Sequence, residues 1–483
     1  MRPEEAAPTS PAASEGRRLA LAVAAIALAV YAPTVARDLS WANAATDGGD
    51  LITASYTLGI PHPPGYPTYV VLGKLFSFVP LGTVAFRYNL FSAVCAAVAA
   101  GLLTAAIRAQ WGGRVPPLVA AAAALSLAFL PLVWSQAVVA EVYSLNLLLV
   151  AAWLLCFVRG RAGGSGLLLG LAITAHPTSL LLLPTAIVAT KPGRARLLAG
   201  IGAGLLPLLL LPWLARGHSP VVWGALDTPG GWWWLVSGRL YAANLRLPPD
   251  GARLALLARA LLLGPAALLL GQQPLANRMT GWAATLAANR RPLLLGATVG
   301  LYVLFALIYA TPDAAVLLLP ALLIGALLAA PGLAQLGRGA VALPLLLAVL
   351  GLLTRTGTAA DITPRRLAEA ALSAAPPNAV LLTPGDRSLF TLWYYHHVEG
   401  LRPDVVVADA NLFAFDWYRQ RLAAGQDGLF VPDGDDLVAL QGINPLARPV
   451  CAVSLLATPL TLPAGQRAAA PNDGPNLLCT GKR

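Results

Sequence analysis

Apolar residues occupy the first three-quarters of this chain in long runs, and polar residues gather in the gaps between them. The first run spans Leu19 to Pro33, behind a polar tail that ends in Arg17 and Arg18. Others lie near 84–107, 115–133, 143–158, 165–190, 196–214, 254–271, 293–311, 314–331 and 339–354. A straight span needs about 20 apolar residues, so length alone leaves several run ends open. The run at 165–190 is interrupted by Ala175-His176-Pro177-Thr178. Pro177 removes a helix hydrogen bond and disfavours helical geometry before it, which predicts two half-helices meeting near His176. With that broken pair counted, the pattern predicts an all-α polytopic membrane protein of about 10 to 11 helical pieces.

Beyond residue 360 the pattern changes. Short β-like runs at Ala379–Thr383 and Asp404–Ala408 alternate with helical stretches at Leu389–His397 and Phe413–Ala424. Strand, helix, strand, helix predicts a small α/β domain. From 458 onward Pro, Gly, Ala and Asn dominate, and a flexible tail is expected. The expected organisation is a tail at 1–18, a membrane domain at 19–356 with its first outer loop at 37–83, the α/β domain at 357–457 and a tail at 458–483.

Composition supports the membrane reading. The 483 residues are 57% hydrophobic and 11% charged, too little polar surface for one soluble core. Charge then orients the chain. Residues 1–360 hold 23 Lys and Arg against 10 Asp and Glu, whereas 361–483 hold 10 against 12. The basic excess sits between apolar runs, where it sets topology; it makes no tract for nucleic acid. Arg108, Arg114, Arg159, Arg161, Lys191, Arg194, Arg196, Arg278, Arg290, Arg291 and Arg338 fall on one side if 165–190 goes in and returns. A single kinked span there would invert every later loop. The returning pair predicts an uncleaved first helix with a cytoplasmic amino end, an extracytoplasmic α/β domain and residence in the cell (inner) membrane. Cys451 and Cys479 are the two cysteines of that domain and can pair if it lies outside. Cys95 and Cys156 fall in apolar runs as packing residues, and four cysteines so divided make no metal site.

Acids are rare enough to count. Between residues 51 and 353 only Glu141, Asp227, Asp250 and Asp313 occur, and a charge near hydrocarbon needs water or a function. The densest polar signal follows the first run: Thr46-Asp47-Gly48-Gly49-Asp50, then Tyr56-Thr57-Leu58-Gly59-Ile60-Pro61-His62-Pro63-Pro64-Gly65-Tyr66-Pro67. Two carboxylates and an imidazole on a proline-stiffened loop suit general-base or metal chemistry. Helix capping by Asp47 and Asp50, with His62 bonded inside the proline turn, accounts for the same residues. Glu141 reads either as a functional acid or as a carboxylate at a helix amino end. His176 reads as a catalytic group or as a neutral imidazole closing the gap beside Pro177. In the loop 215–253, Trp232-Trp233-Trp234 marks an interface anchor, beside Arg239 and Arg246. These two arginines and Arg87 are candidates for a lipid phosphate. No P-loop, dinucleotide fingerprint or serine-hydrolase elbow is present, so nucleotide-driven transport has no motor in these residues.

The stretch Asp47–Pro80, with its Tyr-Thr-Leu-Gly-Ile-Pro-His-Pro-Pro-Gly core, resembles the signature of a large membrane family first described only as a domain of unknown function. Its characterised animal member is a protein O-mannosyltransferase of the endoplasmic reticulum. Ala140-Glu141-Val142-Tyr143-Ser144-Leu145, Thr174-Ala175-His176-Pro177-Thr178, Trp232–Tyr241, Gly385-Asp386, Leu392-Trp393-Tyr394 and Glu399-Gly400-Leu401-Arg402-Pro403-Asp404-Val405 continue the resemblance in order. The family is similar to the GT-C glycosyltransferases, multispanning enzymes that take sugar from a polyprenyl-phosphate donor and carry a catalytic acid in the first outer loop. The usual Asp-Ser-Gly-Glu-Phe string is here Asp47-Gly48-Gly49-Asp50-Leu51, with a longer spacer before it and an acid one methylene shorter at its fourth position.

The resemblance implies a glycosyltransferase that moves a sugar, mannose in the animal member, from a polyprenyl-phosphate donor to an extracytoplasmic protein or glycan acceptor. Asp47, Asp50, His62, Glu141 and His176 are the candidate catalytic residues, with Arg87, Arg239 and Arg246 on the donor. Membrane lipid is the surrounding partner and nucleic acid is not one. A divalent metal is compatible with the loop, though no compact ligand set demands it. A lipid flippase or transporter, and a non-catalytic membrane assembly protein, are the competing readings.

Overall fold

A computed structural model describes residues 11–247, 249, 251–262, 290–425, 428–444, 448–456, 460–461, 467–468 and 474–479. Part of the 254–271 run, Arg278 and most of the expected 458–483 tail lie outside the described residues. Among the described residues, five helical stretches are long and apolar enough to cross a membrane: Ser14–Thr34, Val84–Arg114, Arg194–Leu214, Arg290–Ile308 and Ala314–Arg355. Pro117–Ala128 and Pro131–Ala137 make a sixth span if taken together across their 69° bend. Val142–Val158, Ala162–Ala175 and Pro177–Ala189 are apolar but shorter. The core is therefore polytopic and all-α, and the expected 10 to 11 pieces are approached only by including these short helices. The sharp bend before Pro131 was not among the expected breaks. Leu130 there is extended (φ −57°, ψ 138°), the conformation that a following proline imposes.

The break at His176 is present, with φ −160° and ψ 126° between the two helical stretches that flank it. Glycines reveal how the chain continues. A Cβ on Gly166 would stand 2.1 Å from the Leu197 carbonyl oxygen, and one on Gly170 would stand 2.5 Å from that of Ile201. On the other helix, a Cβ on Gly204 would meet the Leu167 oxygen at 2.3 Å. Rising positions on Ala162–Ala175 thus face rising positions on Arg194–Leu205, so the two helices run parallel. Pro177–Ala189 must then bring the chain back between them. Small residues allow this backbone-to-backbone approach, a common way for helices to pack in lipid.

Among the described residues the carboxy-terminal unit has six strands: β1 (Val380–Thr383), β2 (Val406–Asp409), β3 (Val450–Ser454), β4 (Leu460–Thr461), β5 (Arg467–Ala468) and β6 (Asn476–Cys479). Four form a sheet of order β2-β1-β3-β6, in which β1 pairs parallel with both neighbours and β6 runs antiparallel to β3. The helices Asp386–Trp393 and Asp416–Ala424 follow β1 and β2, giving the small α/β unit. Cys451 and Cys479 face one another across β3 and β6 and form a disulfide.

This unit is locked onto the first loop of the membrane core. Arg365 pairs with buried Asp38, and Asp361 accepts bonds from the Ser40 hydroxyl and the Trp41 amide. The Trp41 indole donates to Thr391 at 3.0 Å, and the Ala85 amide donates to the Tyr394 hydroxyl at 3.0 Å. A Cβ on Gly49 would lie 2.1 Å from the Phe390 carbonyl oxygen. The helix Gly48–Tyr56 is therefore pressed against the helix Asp386–Trp393, backbone to backbone.

Candidate functional site

The Gly48–Tyr56 helix begins directly after Asp47, and neither acid caps it. The Asp47 side chain makes no capping bond. Asp50 instead turns inward, fully buried, and accepts from the His62 amide at 2.9 Å and from His62 Nδ1 at 2.6 Å through one oxygen. Its other oxygen accepts from the Trp223 indole at 3.1 Å. A buried carboxylate needs such partners, and three donors to one acid fix the imidazole firmly. Trp223 arrives because the outer loop zips onto this segment. Ile60 and Val222 form a parallel bridge, and Gly59 leaves no room for a Cβ beside Ser219 and Val221.

With Nδ1 committed to Asp50, His62 Nε2 faces Asp47 Oδ2 at 3.6 Å. Exposure separates the two acids: the Asp50 side chain is 0% accessible and that of Asp47 is 40%. Asp47 is thus the carboxylate that an incoming molecule meets. Burial opposes charge on His62, but Asp47 and the bond to Asp50 more than offset it and push the imidazole up to about 9. The Asp47 carboxyl is raised by burial, with Asp50 and Asp313 adding to the rise against the opposing His62 charge. Burial, then Asp47 and Asp313, hold Glu141 well above the usual carboxylate range.

The remaining candidates divide. Glu141 is buried near this cluster, at the start of Val142–Val158, where the Ala140 carbonyl lies against Gly48. His176 is one ring further back. Tyr66 stands between the imidazoles, 5.2 Å from His62 and 6.2 Å from His176. His176 Nδ1 bonds the Thr178 hydroxyl at 2.7 Å, closing the gap beside Pro177. Arg87 spends its guanidinium on the Ser77, Leu81 and Gly82 carbonyls, which fastens the turn before its helix. Arg246 is exposed and bonds Ala243 in its own turn. Arg239 is exposed and has no hydrogen-bond partner among the described residues; Tyr241, two residues on, brings its ring to 6.5 Å from His62. No three His, Cys, Asp or Glu among the described residues are grouped to hold a metal ion.

Sequence reasoning missed several neighbours. Trp223 gave no signal, because its role depends on the strand-like bridge between Ile60 and Val222, 162 residues apart. Phe390 stacks on His62 at 6.2 Å and belongs to the carboxy-terminal unit. Asp386 also comes from that unit; although its side chain reaches solvent, burial and Asp47 push it up to about 6. Asp313 accepts from the Tyr143 hydroxyl at 3.4 Å. Tyr66, Tyr143 and Asp386 stood inside the quoted motifs, which was the available signal.

Comparison with known proteins gives these motifs a source. Residues 47–192 match the Protein O-mannosyl-transferase TMEM260 N-terminal domain, and residues 364–427 match the TMEM260-associated domain 2. The mouse Protein O-mannosyl-transferase TMEM260 is 27% identical over 499 residues, covering 91% of this chain and 69% of the mouse protein. The Dictyostelium discoideum Protein O-mannosyl-transferase tmem260 is 30% identical over 112 residues, or 22% of this chain and 13% of that one. Among solved structures, apo ArnT from Cupriavidus metallidurans superposes with a TM-score of 0.51 at 16% identity, covering 92% of this chain and 93% of ArnT. The two domain matches fall in chain order and an ArnT-like fold runs along the chain's length, so the chain is similar to the TMEM260 proteins over residues 47–192 and 364–427.

Proposed function

We propose that this protein transfers a sugar from a polyprenyl-phosphate donor to a hydroxyl of an extracytoplasmic acceptor, with inversion at the anomeric carbon. The observation that carries this reading is the buried Asp50–His62 pair aimed at Asp47, the carboxylate with open surface. Asp47 takes the proton of the acceptor hydroxyl as the oxygen attacks C1. The C1–O bond to phosphate breaks, and polyprenyl phosphate leaves with the electron pair. A raised carboxyl pKa makes Asp47 a better base than an ordinary aspartate. His62 holds Asp47 in place from behind, and Asp50 fixes the imidazole. Asp50 and His62 are therefore positioning residues.

The donor side draws on Arg239, an exposed guanidinium without a partner among the described residues, whose fork suits two phosphate oxygens. Mannose is the first sugar to test, since the mouse and Dictyostelium relatives are named protein O-mannosyl-transferases. The Cys451–Cys479 disulfide supports an extracytoplasmic carboxy-terminal unit, because such bonds persist in oxidising compartments. The first outer loop docks on that unit, so both share one side of the membrane. The test is transfer of radiolabelled mannose from polyprenyl phosphate into an extracytoplasmic acceptor extract by protein in lipid nanodiscs, without an ion gradient. Time-dependent label in a covalent product, lost in Asp47→Asn, is expected. Gradient-dependent movement of intact donor with no product would replace this reading with transport.

A further inference from the structure

On the far side of Trp223 from Asp50 lies a second space. A cavity of about 400 Å³ opens between the outer-loop segment 217–223 and the carboxy-terminal unit. Trp223, Trp393 and Trp417 form aromatic walls, and His397 and Arg421 bring polar groups to it. None of its lining residues is acidic among the described residues. The Trp223 and Trp417 rings are 6.0 Å apart, and the Trp417 indole N–H is buried with no acceptor among the described residues. His397 sits on a π-helical turn, Tyr394–Val398, that ends the helix Asp386–Trp393. Such turns cost regular hydrogen bonding and occur frequently at functional sites. Burial, then His396, keeps the His397 ring neutral with a pKa of about 3, which leaves Arg421 as the fixed charge of the space.

One wall is backbone. β2 is an edge strand of the four-stranded sheet, paired on one side with β1. The Val406 amide bonds Ala379 and the Ala410 amide bonds Thr383, so the amides of Val407 and Asp409 point to the open edge. Asp409 donates to the Tyr418 hydroxyl at 2.8 Å. Val407 is 6% exposed, lines the cavity, and its N–H has no acceptor among the described residues. An edge-strand N–H beside a cavity is available to an acceptor that enters it.

We propose that this cavity is the acceptor subsite, and that its occupant is an extended polypeptide segment which bridges to the β2 edge at Val407. An acceptor carbonyl accepts from the Val407 N–H, and an aromatic side chain packs in the cavity against its tryptophan walls. A carboxylate on the same segment meets Arg421. This is strand addition reduced to a single rung, with the adjoining pocket giving side-chain selectivity. Trp223 joins the two sites: one edge of its indole donates to Asp50 and its ring walls the cavity. A hydroxyl residue near the anchor would therefore arrive beside Asp47. The proposal rests on the transferase reading and assigns the place and mode of acceptor binding.

The experiment uses full-length protein in nanodiscs and a library of short threonine-containing peptides randomised at the flanking positions. Selected peptides should carry an aromatic residue and an acid, quench tryptophan fluorescence and slow amide exchange across residues 405–409. Binding should persist in Asp47→Asn, weaken roughly tenfold in Arg421→Gln and in His397→Ala, and disappear when the bridging peptide amide is N-methylated. In transfer assays Arg421→Gln should raise the acceptor KM and leave kcat near the wild-type value. Binding that survives N-methylation and Arg421→Gln, a library that selects nothing, or oligosaccharides that protect 405–409 where peptides do not would each overturn the proposal. Peptide binding with these properties but no sugar transfer would sink the transferase reading and leave the polypeptide site standing.

Discussion

At the residue scale the site rests on two aspartates that the sequence presents as near equals and that burial separates. Asp50 has no accessible side-chain surface and three donors; Asp47 keeps 40% of its own and faces His62 Nε2. Asp47→Asn is expected to abolish transfer while leaving thermal stability close to wild type. Asp50→Asn removes a charge that two His62 donors and the Trp223 indole require. Breaking one partner of a buried charged network costs about 3–5 kcal/mol, so a clear fall in thermal midpoint should accompany lost transfer. Differential scanning fluorimetry with the transfer assay separates the two, and equal midpoints for both variants would contradict the division of roles.

The same residues set a pH dependence. The folded His62 pKa of about 9 lies above the ordinary 6.5, so its stabilisation is complete below about 6.5 and is lost as pH rises through 9. The thermal midpoint should fall over that alkaline window in the wild type and stay flatter in His62→Gln. Asp47 shifts the other limb. Its raised pKa means that the base is protonated at a pH where an ordinary aspartate is still charged. The acid limb of the transfer profile should stand above the usual carboxylate range. A limb at an ordinary aspartate value would remove Asp47 from the base role.

At the element scale, glycines decide which helices can touch. Gly49→Ala places a Cβ 2.1 Å from the Phe390 oxygen, and backbone cannot yield as a flexible side chain does. The helices Gly48–Tyr56 and Asp386–Trp393 must separate, carrying Phe390 and Asp386 from the His62 side. Overpacking of this kind costs about 1–3 kcal/mol, and the transfer rate should fall further than stability does. Faster amide exchange in both helices would register the separation; unchanged exchange would show that the contact is dispensable. The parallel packing of Ala162–Ala175 on Arg194–Leu205 makes the opposite case. There the glycines serve the membrane scaffold, and Gly166→Ala, 2.1 Å from the Leu197 oxygen, should lower stability with no specific effect on acceptor KM.

At the scale of the whole molecule, the proposed site is shared between the membrane core and the carboxy-terminal unit, which places both on one side of the membrane. Introduced cysteines test the sidedness: Gly434→Cys should react with an impermeant reagent from outside intact cells, and Gly113→Cys should not. The reverse pattern would overturn the orientation and the donor side with it. Reducing the Cys451–Cys479 bond should loosen β6 from β3 before it affects the membrane core, with transfer falling as the sheet opens.

Local composition determined much of this protein. Apolar runs, the proline at 177 and the switch to short β-like runs after 360 made the polytopic core, the break at His176 and the α/β unit legible, because each depends on neighbours in the chain. The motif around Asp47, Asp50 and His62 was legible for the same reason: its members lie within 16 positions, on one rigid loop. Only the tertiary structure decided which aspartate is buried, that Arg87 fastens a turn, that Pro131 follows a sharp bend, and that Trp223 and Phe390 complete the imidazole's surroundings. The aromatic neighbours depend on contacts across 160 residues or more and the aspartates on burial, a property of the packed molecule; the Arg87 bonds and the Leu130 bend are local, but the apolar pattern does not record them. Periodicity reports which face of an element avoids water; it carries no record of which distant backbone will come to rest against Gly49.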